Sequence, residues 1–86
     1  MKRVTLYTTE PCGFCRTAKA LLDKRNVPYS EINLTKDAPG RTELVRMTGM
    51  MTFPQVVIDD RPIGGYQDLV LADRAGLLAE LAEAAA

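Results

Sequence analysis

Val4-Thr5-Leu6-Tyr7-Thr8-Thr9-Glu10-Pro11-Cys12-Gly13-Phe14-Cys15 runs from a strand into the start of a helix, and it carries both cysteines of the chain. Val4 and Leu6 alternate with Thr5 and Tyr7, the period-two pattern of a half-buried strand ending near Thr8. Thr9-Glu10-Pro11 is a turn, because Pro11 disfavours helix at Glu10 yet permits one to begin just after it. Phe14, Ala18, Leu21 and Leu22 then recur at helical spacing as one apolar stripe, with Arg16, Lys19, Asp23 and Lys24 lying mostly off it.

Further along, Asn26-Val27-Pro28 ends this helix and Tyr29 to Leu34 reads as a second strand. Two parallel strands joined by a helix form a right-handed βαβ unit. Asp37 is suited to cap a second helix with Pro39 in its first turn; Leu44, Val45 and Thr48 point inward, and Gly49 stops it. Gln55 to Ile58 is a third strand, Asp59-Asp60-Arg61 a tight turn, and Pro62-Ile63 a short fourth strand at an edge, where a residue without an N–H is tolerated. Gly64-Gly65 breaks it. Gln67 to Asp73 reads as helix with Leu69 and Val70 inward, and Leu77 to Ala84 as a further helical run joined at Gly76, with an Ala-rich fraying tail. The order β-α-β-α-β-β-α predicts an α/β fold: a four-stranded mixed sheet flanked by helices, with strands one and two parallel and strands three and four an antiparallel hairpin.

The chain has 86 residues, 47% of them hydrophobic, which suits one domain over residues 1–86 with one core. Eleven basic and eleven acidic residues balance to zero net charge, so the expectation is no nucleic-acid and no membrane-surface partner. No apolar run approaches the ~20 residues of a membrane span, and Val4–Tyr7 is too short for a signal-peptide core. The expected location is cytoplasmic, where a cysteine pair is catalytic or metal-binding more often than structural. The absence of histidine removes Ser-His and Cys-His catalysis and histidine metal sites together.

Cys12-x-x-Cys15 is poor as a staple: the loop model gives about 2 kcal/mol for so short a loop against ~3 for fifteen residues. Zinc wants four ligands, and this chain offers two sulfurs. Redox chemistry fits best. Cys12 falls at the first helical turn, where unpaired N–H groups and the helix dipole stabilise a thiolate, with Arg16 and Lys19 adding positive charge. Cys15, about one turn further in, is more enclosed. Cys12 is thus expected to attack and Cys15 to resolve. Phe53-Pro54 punctuates the start of the third strand, or opens a backbone edge beside the dithiol. Ile63-Gly64-Gly65-Tyr66-Gln67-Asp68-Leu69 reads as a turn before a helix with an Asp near its start; the same residues would also make a small-anion pocket.

With Leu6-Tyr7-Thr8, Cys12-Gly13-Phe14-Cys15, Ala18-Lys19-Ala20-Leu21-Leu22, Thr52-Phe53-Pro54-Gln55-Val56 and Ile63-Gly64-Gly65 leading to Asp68-Leu69 in this order, the chain resembles the glutaredoxins over almost its whole length. The resemblance implies a thioredoxin-like fold and a glutathione-dependent thiol–disulfide oxidoreductase acting on protein disulfides and protein–glutathione mixed disulfides. It implies Cys12 and Cys15 as the catalytic pair and a cis bond at Phe53-Pro54. It further implies glutathione held by Phe14, by the Phe53 backbone with Pro54, and by Tyr66, Gln67 and Asp68 at its γ-glutamyl end. Departures from the family pattern are Gly13-Phe14 in place of Pro-Tyr, no lysine at Thr8, no polar residue at Met50-Met51, and Gln67 in place of an acid. Gly13 is shared with cluster-binding relatives, which keeps a [2Fe–2S] dimer bridged through Cys12 as an alternative; otherwise a monomer is expected. The other departures leave thioredoxin reductase as an alternative reductant and ribonucleotide reductase as a protein partner.

Overall fold

The computed structural model describes residues 3–85. The elements are β1 (Val4–Thr8), α1 (Gly13–Lys24), β2 (Ser30–Asn33), α2 (Ala38–Thr48), β3 (Gln55–Ile58), β4 (Arg61–Gly64), α3 (Tyr66–Arg74) and α4 (Leu77–Ala85). The sheet order is β2-β1-β3-β4, with β1 parallel to β2 and antiparallel to β3, and β3 antiparallel to β4. The predicted order differs at its end. Gly76, at φ +90°, splits the C-terminal helical sequence into two helices, so the chain closes α-α where a single α is expected.

Local chemistry accounts for the boundaries. Asp37 accepts a hydrogen bond from the Gly40 N–H at 2.8 Å, Pro39 occupies the first turn of α2, and Gly49 ends that helix in the left-handed region at φ 72°. Asp59 and Asp60 both take positive φ, as a two-residue hairpin turn of this hand demands. Pro62 is exposed on edge strand β4.

Val4 and Leu6 of β1 and Val56 and Ile58 of β3 face Ala18 and Leu22 of α1, Leu69 of α3, and Leu78 and Leu81 of α4 in the main core. On α2 only Leu44 is fully buried; Val45 and Thr48 are half-buried. The expected α1 stripe holds for Ala18 and Leu22 and loosely for Leu21, but Phe14 is 65% exposed. Phe14 stands in the first turn of α1, and its ring lies against Tyr66 instead of in the core. Among the described residues no helix is long and apolar enough to cross a membrane.

The register positions the site. Tyr7 pairs with Gln55 across an antiparallel ladder, so the chain leaves β1 toward Cys12 at the sheet end where Phe53-Pro54 enters β3. Val56 pairs with Gly64, which brings Gly65 and Tyr66 to the same end.

Candidate active site

Cys12 is the N-cap of α1, with extended backbone at φ −155° and ψ 101°. Its Sγ accepts a hydrogen bond from the Cys15 N–H at 3.0 Å, so one of the orphan donors of the helix start is aimed at the sulfur. The first turn of α1 holds no acidic residue, and Cys12 and Cys15 are bridged as a disulfide. Cys12 is partly exposed, whereas Cys15 is 2% exposed beneath it. A groove of about 500 Å³ is lined by Cys12 and Cys15 together with Thr9, Arg16, Lys19 and Glu31.

The two cations expected beside the dithiol differ. Lys19 forms an ion pair with Glu31 at 3.2 Å, and Glu31 also accepts a hydrogen bond from the Thr8 hydroxyl at 2.8 Å. Together the Thr8 hydroxyl and Lys19 hold the Glu31 carboxyl below its ordinary value. Lys19 is therefore largely compensated, while Arg16 has no ion-pair partner among the described residues. Glu31 was not among the predicted site residues. It reaches the groove through the parallel register that sets it opposite Leu6, which no local pattern encodes.

The Phe53-Pro54 bond is cis, as the family resemblance implied, and Glu10-Pro11 is cis as well. Pro54 is buried and Phe53 half-buried. The carbonyl of Pro54 lies 3.6 Å from where a Cβ would stand on Gly65, a contact that links the β3 entry to the start of α3. Phe14 and Tyr66 stack with centroids 5.7 Å apart and planes at 29°, joining the first turns of α1 and α3. Gln67 and Asp68 follow on the exposed first turn of α3. Asp68 is already engaged: its Oδ2 accepts the Gly65 N–H at 3.0 Å, one half of a capping box. Gly64, at φ +127°, leaves room for that carboxylate, which a Cβ there would overlap.

A largely apolar cleft lies between α2 and the Met50-to-Phe53 segment. Met50 and Met51 are exposed and, with Phe53, Leu44 and Val45, line this cleft of about 250 Å³. Arg41 also lines it, but its guanidinium donates to the Leu34 and Thr35 carbonyls at 2.6 and 2.9 Å. Thr8, where a ligand-facing lysine would be expected, is 1% exposed with its hydroxyl on Glu31; Thr9 is the residue that lines the groove. Thr8 is the last residue of β1, and Thr9 lies just past it in the segment that leads to Cys12. Gln55 also escaped the reading, although a glutamine opening the apolar run Gln55-Val56-Val57-Ile58 was a visible signal.

A family model for glutaredoxin matches residues 4–63. Glutaredoxin 3 of Escherichia coli K12 is 40% identical over 76 residues, covering 88% of this chain and 92% of that one. A glutaredoxin of Pseudomonas aeruginosa is 39% identical over 84 residues, covering 98% and 100%. A buckwheat glutaredoxin–glutathione complex shares the fold at TM-score 0.83 and 27% identity, over 95% of this chain and 77% of that one. The four-stranded mixed sheet with its flanking helices is thus thioredoxin-like, the Cys12–Cys15 pair is a redox-active thiol–disulfide centre, and the chain belongs to the glutaredoxin family of thiol–disulfide oxidoreductases.

Proposed function

We propose that Cys12 is the nucleophile and Cys15 the resolving thiol of a glutathione-dependent reduction of protein disulfides and protein–glutathione mixed disulfides. The observation that carries this assignment is the asymmetry of the pair: Cys12 is a partly exposed helix cap and Cys15 is 2% exposed. An anion on Cys12 meets the N–H of Cys15 and the positive end of α1, whereas the Cys15 sulfur is enclosed beneath it.

Cys12 thiolate attacks the glutathionyl sulfur of a mixed disulfide. The old S–S bond breaks, the protein thiolate leaves and takes a proton from water, and glutathione stays on Cys12. A second glutathione thiolate then attacks that glutathionyl sulfur, releasing oxidised glutathione and restoring Cys12. Alternatively Cys15 attacks Cys12, expels glutathione and forms the Cys12–Cys15 bridge, which two glutathiones reduce with the same two electrons. The main chain of Phe53 beside cis-Pro54 pairs with the cysteinyl part of glutathione, while Phe14, Tyr66, Gln67 and the second oxygen of Asp68 frame its γ-glutamyl end. The buckwheat relative is described in complex with glutathione, which supports this reading.

Cys12→Ser is expected to abolish deglutathionylation of a glutathionylated peptide. Cys15→Ser keeps that reaction and loses reduction of protein disulfides. An active Cys12→Ser enzyme would refute the assignment.

The exposed Met50 and Met51 beside Phe53, with the Arg41 guanidinium turned to backbone carbonyls, favour a second reductant, so thioredoxin reductase deserves a parallel turnover assay. Ribonucleotide reductase would be the protein substrate of that reading. A [2Fe–2S] cluster bridging two chains would take one Cys12 thiolate from each, with glutathione as the remaining ligands; the partly exposed Cys12 fits that place and the enclosed Cys15 does not. Gly13 has open space around it, but openness supplies no ligand.

A further inference from the structure

All four residues of β3 are buried, and three of them are Val56, Val57 and Ile58. The fourth, Gln55, is 0% exposed. Its Nε2 donates to the Thr52 carbonyl at 3.0 Å and to the Thr52 hydroxyl at 3.1 Å, while its Oε1 has no partner among the described residues. The orientation of the amide follows from chemistry, since a carbonyl oxygen only accepts and the nitrogen must face it. A buried acceptor left without a donor is unfavourable compared with an apolar side chain of the same size. Both hydrogen bonds of the side chain go to Thr52, so what the amide contributes is the placement of Thr52.

That placement spans the site. Gln55 is fixed in the sheet opposite Tyr7, and its side chain reaches back over Pro54 and Phe53 to the exposed Thr52. The segment that enters β3 is thereby held at both ends, by the ladder on one side and by the amide on the other. We propose that Gln55 is a positioning residue for the reaction: its buried amide fixes Thr52, and through it the Phe53 main chain, in the geometry that glutathione pairs with. This rests on the glutathione reading given above.

The test uses full-length protein with a glutathionylated peptide, and the same peptide carrying a cysteamine mixed disulfide as control. Gln55→Leu keeps the volume and removes the amide; Thr52→Val, at an exposed position, removes one of the two acceptors. Gln55→Leu is expected to raise KM for the glutathionylated peptide about tenfold with kcat within about twofold, the pattern of lost substrate binding. Thr52→Val is expected to raise it about twofold to threefold by the same logic. The rate of iodoacetamide alkylation at Cys12 stays at the wild-type value in both. A folded Gln55→Leu with wild-type KM overturns the proposal, as does a parallel fall of kcat and alkylation rate, which would mark a merely structural role. If Gln55→Leu does not fold, Thr52→Val decides, and an unchanged KM overturns the proposal. A wild-type protein indifferent between the two peptides overturns the glutathione reading itself. A wild-type preference that survives in Gln55→Leu overturns only the role of Gln55.

Discussion

Two helix N-termini meet at the active end of this molecule, and they satisfy their backbone donors in opposite ways. At α1 the acceptor is a sulfur, Cys12 Sγ taking the Cys15 N–H at 3.0 Å, and no carboxylate stands in the first turn. At α3 the acceptor is the chain's own carboxylate, Asp68 Oδ2 taking the Gly65 N–H at 3.0 Å. A helix start favours negative charge in both places. At α3 a permanent anion satisfies that preference and the gain is structural. At α1 the preference is met only when Cys12 ionises, so the same physical device serves reactivity.

The strongest way to break the contrast is to spoil the α3 cap. Gly64→Ala puts a side chain at φ +127° and against the Asp68 carboxylate, and should cost about 1–3 kcal/mol of stability. Chemical denaturation of the reduced protein reads this directly, and the alkylation rate of Cys12 in the still-folded fraction should not follow. Asp68→Ala removes the cap without strain and should cost roughly 0.5–1 kcal/mol, again with Cys12 reactivity unchanged. A fall in that reactivity would mean the α3 terminus takes part in the chemistry.

Making α1 resemble α3 sharpens the contrast. A Cβ at Gly13 meets nothing within 4 Å, so Gly13→Asp is accommodated and sets a carboxylate beside Cys12. Alkylation at neutral pH should slow by roughly twofold to fivefold, since a second negative charge disfavours the thiolate. The smallest effect is expected at Glu31. Glu31→Gln releases Lys19 and should quicken alkylation by less than about twofold for a partly exposed, screened pair. The Glu31 carboxyl is held below its ordinary value in the folded state, so its stabilising effect is present at neutral pH and lost as pH falls through that lowered value. The stability difference between wild type and Glu31→Gln should therefore shrink on acidification below the ordinary carboxylate range and be flat above it.

Sequence carried the local parts of this account well. The strand-to-helix turn at Cys12, the Asp37 cap, the Gly49 stop and the Asp59-Asp60 turn each rest on residues adjacent in the chain, and the structure has them where expected. What escaped depends on tertiary geometry. Phe14 has the spacing of a core residue, but it sits in the first turn, where the apolar stripe runs past the sheet and the ring meets Tyr66. Thr8 is buried at the last position of β1 and Thr9, one residue past it, lines the groove, a difference set by where the strand ends. The compensation of Lys19 by Glu31 needs the β1–β2 register, and the engagement of Asp68 needs the left-handed turn at Gly64. Gly76 marks a join between two helical runs, and its left-handed backbone makes each run a helix of its own.

The central claim is that α1 activates Cys12 and shields Cys15. Reduced protein treated with substoichiometric iodoacetamide across a pH series, with peptide mass analysis, reads both halves at once. Label is expected on Cys12, with half-maximal rate at a pH below the about 8.5 of a free cysteine thiol. Label on Cys15, or a Cys12 profile centred at the free-thiol value, would contradict it.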